Sequence, residues 1–306
     1  MRNEFLEATI KLAKNDKDII LLTADLGFGV FEEYESMFPN QYFNVGVAEQ
    51  SMTSIATGLA LEGKRVITYS IGNFPTLRCL EQIRNDACYH DANITIVASG
   101  GGFSYGALGM SHHATEDLSI LRALPGIKVV APCTPWEAGK AITALVNDNG
   151  VGYLRLDKSF ANETLNETSP FLFEKSRRHR EGSDITVIAT GGILNEALIS
   201  ADDLSSKNIS VRVVGMHTIK PIDKREIKLA IEETGGIITL EENNIIGGLG
   251  GAVAEICMDH NVRPKLFHRI GLSDMYSSVV GSQDYLRKIY KMDSVSITKK
   301  ILSLLK

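Results

Sequence analysis

Two α/β domains, each a mostly parallel sheet flanked by helices, are the architecture this sequence predicts. Three observations lead there. Short apolar runs rich in β-branched residues alternate with longer stretches of helical character. The runs are apolar almost throughout, as in strands covered on both faces. The alternation lapses once, around Asp157–Ser183, and then resumes. A chain of 306 residues is also long enough for two cores at roughly 100–200 residues per domain.

In order, the strand candidates of the first half are Ile19–Ala24, Arg65–Ser70, Ile94–Ser99, Lys128–Ala131 and Tyr153–Leu156. Helix candidates between them are Asn3–Lys14, Glu49–Glu62, Thr76–Tyr89, Thr115–Ala123 and Pro135–Asn147. In the second half, strands are expected at Ile185–Ala189, Val211–Val214, Ile237–Leu240 and Leu266–Ile270. Helices are expected at Leu194–Leu204, Lys224–Glu233, Gly251–Asp259 and Val295–Leu305. The basic run Lys175–Arg180 between the halves reads as a solvated stretch of surface linker. The expected division is a first domain over 1–165, a linker over 166–183 and a second domain over 184–306.

Composition excludes several functions. A net charge of -5 argues against a surface that coats nucleic acid or anionic membrane. Hydrophobic residues at 44% and charged residues at 23% are ordinary globular values. Cys79, Cys88, Cys133 and Cys257 fall far apart, without metal-ligand spacing. Neither a disulfide scaffold nor a zinc site is expected, and a reducing cytoplasm fits. The first residues carry acids where a signal peptide needs an apolar run, and no stretch reaches the length of a membrane span.

The glycine segments carry little chemistry. Gly247–Gly251 lacks the order of a dinucleotide fingerprint, and a tight strand-to-helix turn is its better reading. Gly100–Gly102 follows a strand, at the end where parallel sheets bind ligands. Glu49 follows an extended segment and opens a helical run. It is read either as an acid placed by the helix dipole or as a general acid/base at a strand-to-helix junction. His112 and His113 follow a flexible loop and precede an acidic helix start, a place for proton transfer or polar substrate contact. Adjacent side chains diverge, so a shared metal is not expected. No serine or cysteine stands in an activating context. The residues by themselves reach an α/β enzyme or binding protein and stop short of a reaction.

Resemblance goes further. Phe43–Met52 (FNVGVAEQSM) with Ile55–Ala60 (IATGLA) closely resembles the pyrimidine-binding domain of the transketolase family. Thr23–Leu26, Cys79–Arg84 and Gly109–His112 with Glu116–Leu118 and Leu121–Pro125 agree in the same order. The second half resembles the family's C-terminal domain through Gly215–Asp223 and Glu241–Gly250. Full-length relatives carry a further N-terminal domain whose GDG…N signature binds magnesium and the diphosphate of thiamine diphosphate. No Gly-Asp-Gly occurs here.

The chain thus resembles the C-terminal subunit of a split transketolase. The resemblance implies thiamine diphosphate, its pyrimidine half held here. It also implies an N-terminal partner subunit carrying GDG…N with Mg2+ or a similar ion, and assembly as a heterotetramer. The implied reaction moves a two-carbon ketol unit from a ketose to an aldehyde. Rival readings are a 2-oxoacid-decarboxylating relative (deoxyxylulose phosphate synthase-like, or a 2-oxoacid dehydrogenase beta subunit) and a non-catalytic regulatory subunit.

Residue by residue, Glu49 matches the glutamate that hydrogen-bonds N1′ of the aminopyrimidine and exchanges a proton there. Phe74 matches an aromatic that stacks on the pyrimidine. The loop before Phe74 is one residue short and a second family aromatic is missing, with Tyr69 the candidate to compensate. His112 matches a histidine that contacts the substrate oxygen, with His113 beside it. Asp25 matches a residue near the cofactor and the subunit interface. Departures fall on the substrate side. Leu108 replaces an acid that reads a sugar hydroxyl, and Gly29 and Gly100 replace a serine and a histidine near the acceptor phosphate. Lys158 replaces an arginine and offers a point charge instead of a fork. These changes imply an apolar, roomier pocket and an acceptor that is bulkier or lacks the terminal phosphate.

Overall fold

The structure, a computed structural model, describes residues 1–162 and 170–305. Its strands run β1 (Ile19–Thr23), β2 (Tyr42–Asn44), β3 (Arg65–Ile71), β4 (Ile94–Ser99), β5 (Lys128–Val130) and β6 (Gly152–Leu156). They continue as β7 (Arg177–Arg180), β8 (Ile185–Thr190), β9 (Val211–Gly215), β10 (Thr218–Lys220), β11 (Ile237–Asn244) and β12 (Phe267–Leu272). They form two sheets, in the orders β10-β5-β6-β4-β3-β1-β2 and β12-β11-β8-β9-β7.

Every residue of β1, β4 and β6 is buried, because helices cover both faces of the first sheet. On one face α1 (Arg2–Asn15) contributes Phe5 and Ala13 to a core closed by Ile67, Tyr69 and Val97. On the other α3 (Glu49–Leu61) inserts Met52, Ala56 and Ala60 against Leu22, Val66 and Ile96. The second sheet is covered likewise. Its two cores are centred on Val187, Ile238 and Leu240 and on Ile188, Val214 and Ile227. No helix among the described residues is long and apolar enough to cross a membrane.

Strands β1, β3, β4 and β6 are mutually parallel. The loops leaving them therefore gather at one sheet edge, where open α/β sheets bind ligands. Asp25, Phe74, His112 and Lys158 all lie on those loops.

Most expected elements are present within a residue or two, and α6 (Pro135–Asn147) and α8 (Lys224–Glu233) have the expected bounds. Three differences stand out. The basic run is no linker: Arg177–Arg180 is the antiparallel edge strand β7 beside β9. Arg178 pairs with Glu226 at 2.7 Å, and that neutralisation makes a charged edge strand tolerable. The expected boundary at 165/166 lies outside the described residues. The helix expected over Thr76–Tyr89 is instead one α turn, Leu80–Gln82, followed by a π-helical stretch over Ile83–Cys88.

Strand β10 comes from the second half yet joins the first sheet, antiparallel to β5. At three residues it leaves no period to read. Other unpredicted elements, β2, α2 (Glu32–Met37) and α10 (Gln283–Ile289), are short as well, at 3, 6 and 7 residues.

Candidate active site

Glu49 is the first residue of α3 and only 2% of it is exposed. The turn before it is organised by Asn44, whose side-chain oxygen accepts from the backbone N–H of Asp25 (2.9 Å) and of Gly46 (3.0 Å). Asp25 is exposed and left-handed (φ 55°), and its carboxylate accepts from the Asn44 amide at 3.2 Å. Asp25 is thereby joined to the segment that delivers Glu49. The Glu49 carboxylate accepts from Arg78 Nη1 at 2.7 Å. Arg78 is half open to solvent, 47% by side chain, so the pair couples a buried acid to a solvent-facing cation. Its guanidinium lies 4.8 Å from the centre of the Phe74 ring, a cation–π contact.

Phe74 sits after β3, and its ring meets that of His112 edge-on at 5.2 Å. The two loops are tied by Asn73, whose amide donates to the His113 carbonyl. His112 ends a short 3-10 turn, with Ser111 Oγ 3.1 Å from Nδ1. Beyond it stands Tyr105, its ring 6.4 Å from that of His112, and Lys158 Nζ rests 3.7 Å over the Tyr105 ring. Glu49, Arg78, Phe74, His112, Tyr105 and Lys158 thus form one continuous chain of contacts. At its far end is a cavity of about 370 Å³, lined among others by Arg2, Ser99, Tyr105 and Lys158. Burial, and after it the charge of Arg2, holds the Lys158 ammonium below the ordinary lysine value.

Two expected contacts are corrected. Tyr69 stands apart from Glu49 and Phe74, its hydroxyl hydrogen-bonded to Ser99. It is buried on the opposite face of β3 from Val66, stacked on Phe5 at 5.8 Å and edge-on to Phe31 at 4.8 Å. The pleat decides this, since Tyr69 and Ile67 share one face and Val66 the other. His113 is likewise a core residue, 2% exposed and edge-on to Phe103. Its Nε2 lies 3.2 Å from the Gly106 carbonyl, and burial pushes its pKa down.

Of the two glycines, Gly29 has open space around it, but Gly100 does not. A Cβ at Gly100 would stand 2.2 Å from the Tyr105 ring, so the aromatic fills the room expected there. Leu108 is 56% exposed on the turn preceding His112. The Gly247–Gly251 turn is occupied internally, because the Leu249 and Gly250 amides both donate to Glu241 at 2.8 Å.

Sequence reading missed Arg78, Tyr105 and Arg2. Arg78 directly precedes a quoted motif, and a cation four residues after an aromatic was the available signal. Arg2 had none, since folding alone brings the start of α1 beside Lys158.

Fold and site together define a two-domain α/β enzyme whose polar loops converge at the carboxyl ends of its first sheet. The transketolase pyrimidine-binding domain matches residues 1–163 and the transketolase C-terminal domain matches residues 174–297. The chain belongs to the transketolase family. A chain described as a transketolase C-terminal section from Methanocaldococcus jannaschii is 37% identical over 312 residues, covering 100% of this chain and 96% of that one. One of the subunits of the apulose-4-phosphate transketolase of Phocaeicola vulgatus is 34% identical over 307 residues, covering 100% and 97%. Among solved structures, a split-gene transketolase described as an inactive beta4 tetramer superposes with a TM-score of 0.88 at 30% identity, covering 99% and 97%.

Proposed function

We propose that this chain is the C-terminal half of a two-subunit, thiamine-diphosphate-dependent transketolase, with Glu49, Phe74 and His112 as its working residues. The observation that carries the reading is the Glu49 carboxylate. It is almost wholly buried at a helix head, and its ion-pair partner is a half-exposed arginine lying over an aromatic ring. A planar, proton-accepting ring would find here an acid for its nitrogen and an aromatic face to stack on.

When bound, thiamine diphosphate would supply the nucleophilic carbon that two-carbon transfer requires. Glu49 holds N1′ of the pyrimidine and exchanges a proton with it, and burial keeps water from competing for that proton. Phe74 offers its face to the ring, and Arg78 keeps the buried charge compensated, since an unpaired one would be costly. Ser111 at Nδ1 orients His112 so that Nε2 faces the substrate oxygen. Asp25, tied to the Glu49 turn through Asn44, belongs to the rim where the partner subunit closes the site. Lys158 and Arg2 receive the anionic end of a sugar, so an acceptor phosphate keeps two cations here. Leu108 leaves one sugar hydroxyl without a charged reader.

The partner is a separate N-terminal subunit carrying GDG…N, which holds the diphosphate and its divalent ion. Two of each chain form a heterotetramer in the cytoplasm, acting on a ketose donor and an aldehyde acceptor. The test is to express this chain alone and with that subunit, measuring thiamine diphosphate binding by calorimetry and products from ketose or pyruvate donors. The chain alone should bind weakly and not turn over, and the complex should transfer two carbons from the ketose. Micromolar cofactor binding and full activity in the isolated chain overturn the two-subunit reading. Carbon dioxide release from pyruvate in place of ketol transfer overturns the reaction assigned.

A further inference from the structure

Away from the Glu49–His112 group, the second sheet has an open cleft of about 590 Å³ along its outer edge. The cleft lies between β12 and α11 (Ser294–Leu304), and its lining contains Lys288, Lys291, Lys299, Lys300, His268 and Arg269 but no carboxylate. Among the described residues strand β12 pairs only with β11, so its outer edge presents main-chain groups without a ladder partner there. Lys299 and Lys300 share one side of α11 with Ser296 and Ser303, while Lys288 and Lys291 come from the end of α10 and the turn after it.

The charge pattern is out of keeping with the rest of the molecule. The chain as a whole is acidic, at -5, and its other basic residues are widely paired, as Arg122 is with Glu255 and Arg212 with Glu233. Among the described residues, none of the four lysines of the cleft makes an ion pair. Burial, then the charges of Lys300 and Arg269, holds the His268 pKa below its ordinary value. Like charges are held together here with nothing to compensate them, which disfavours the empty state and rewards a multiply charged anion. Arg269 is partly committed, donating to the Ile245 carbonyl at 2.8 Å.

We propose that this cleft is an anion site for a small molecule bearing two or more phosphoryl groups. Its volume matches a nucleotide or a sugar bisphosphate, within the range usual for small-molecule sites. Mobile ammonium groups suit such a ligand as point charges, and the Ser296 hydroxyl and edge amides add directional donors, the Ser303 hydroxyl being engaged by the Lys300 carbonyl at 2.7 Å.

The test uses the full chain at low salt, titrated calorimetrically with inorganic pyrophosphate, ATP and fructose 1,6-bisphosphate, with sulfate as a single-anion control. One saturable site per chain is expected, weakened at least tenfold in Lys299→Glu/Lys300→Glu and less in the milder Lys299→Gln/Lys300→Gln. Both positions are exposed, so both variants should keep the wild-type thermal midpoint. Binding should persist in Lys158→Ala, which separates this cleft from the cations near Tyr105. Tighter binding of ATP than of pyrophosphate identifies a nucleoside contact, and equal binding identifies recognition of the phosphates alone; both support the site. Absence of saturable binding, affinity unchanged in the double variants, or loss of binding in Lys158→Ala overturns it.

Discussion

Glu49 at the head of α3 and Glu241 facing the head of α9 (Leu249–Asp259) are both buried acids at strand-to-helix junctions, one in each half of the chain. Their partners differ. Both oxygens of Glu241 are taken by the Leu249 and Gly250 amides, which cannot move without unravelling the helix. Burial nonetheless pushes its pKa up to about 7, opposed by those two amides. Its neighbour Glu242 is equally enclosed, accepting from the Phe103 amide and from Gln283 and pairing with the buried Arg287. Glu49 instead meets a flexible, half-exposed side chain. A buried acid with only internal, fixed partners holds a fold together. One whose partner can be exchanged with a ligand is available for chemistry.

The sharpest way to break this contrast is to remove Glu49 and, in the second half, the fixed acid Glu242. Glu49→Gln in the assembled complex should lower turnover by about 10²–10⁴-fold, the usual worth of a general acid–base group. The urea midpoint of the chain should barely move. Steady-state rates beside a denaturation curve read both, and a variant within a few-fold of wild type returns Glu49 to a helix-dipole role.

Glu242→Ala should do the reverse. It takes from the buried Arg287 its nearer carboxylate, leaving Glu196 at 3.6 Å and the Ser159 hydroxyl, and breaking a buried pair costs up to about 3–5 kcal/mol. That loss should appear in chemical denaturation, while cofactor affinity of whatever complex remains folded is kept. A midpoint unchanged by the substitution would place Glu242 with Glu49.

A smaller effect comes from a histidine with fixed surroundings. His217 is fully enclosed, stacked on Phe171 at 4.4 Å, with Nδ1 2.8 Å from Thr218 Oγ1. Burial, then the charges of Arg177 and His179, lowers its pKa to about 3. Between about 3 and the ordinary value near 6.5 the unfolded chain binds a proton that the folded chain refuses. Stability contributed by this group is therefore whole above about pH 6.5 and lost as pH falls, by up to about 1.4 kcal/mol per pH unit. Denaturation curves across roughly pH 4–7 should show this slope in wild type and lack one proton's share of it in His217→Gln.

The smallest expected change is in specificity. Leu108→Asp adds a charge at an exposed position on the turn before His112 and should favour acceptors with the matching hydroxyl by roughly three- to tenfold in kcat/KM. Equal preference in both proteins would show that Leu108 does not face the acceptor.

Much of the fold was legible because its strands announce themselves. Ile94–Ser99, Pro135–Asn147 and Lys224–Glu233 are long or strongly patterned enough that local preference and tertiary demand agree. Strands β2 and β10 and helices α2 and α10 were not legible, because each is short and lacks the continuous apolar run that marks the buried strands. Arg177–Arg180 misled for a different reason: a basic run reads as solvent-facing until Glu226 and Glu233 are brought alongside.

Within the site, the sequence by itself was enough to place Glu49 at a helix head, Phe74 and His112 on loops after strands, and the family to which these motifs belong. Side-chain direction was decided only by the tertiary structure. The resemblance offered Tyr69 as a compensating aromatic and His113 as the neighbour of His112, yet the pleat of β3 and the end of a 3-10 turn send both rings into the core. The same packing fills the space at Gly100 with Tyr105 and brings Arg2 across the length of the first domain to Lys158. Periodicity and capping are properties of neighbouring residues, so a sequence carries them. Which face of a sheet a ring ends on, and which distant charge stands opposite a lysine, depend on chain segments that meet only when the whole core has closed.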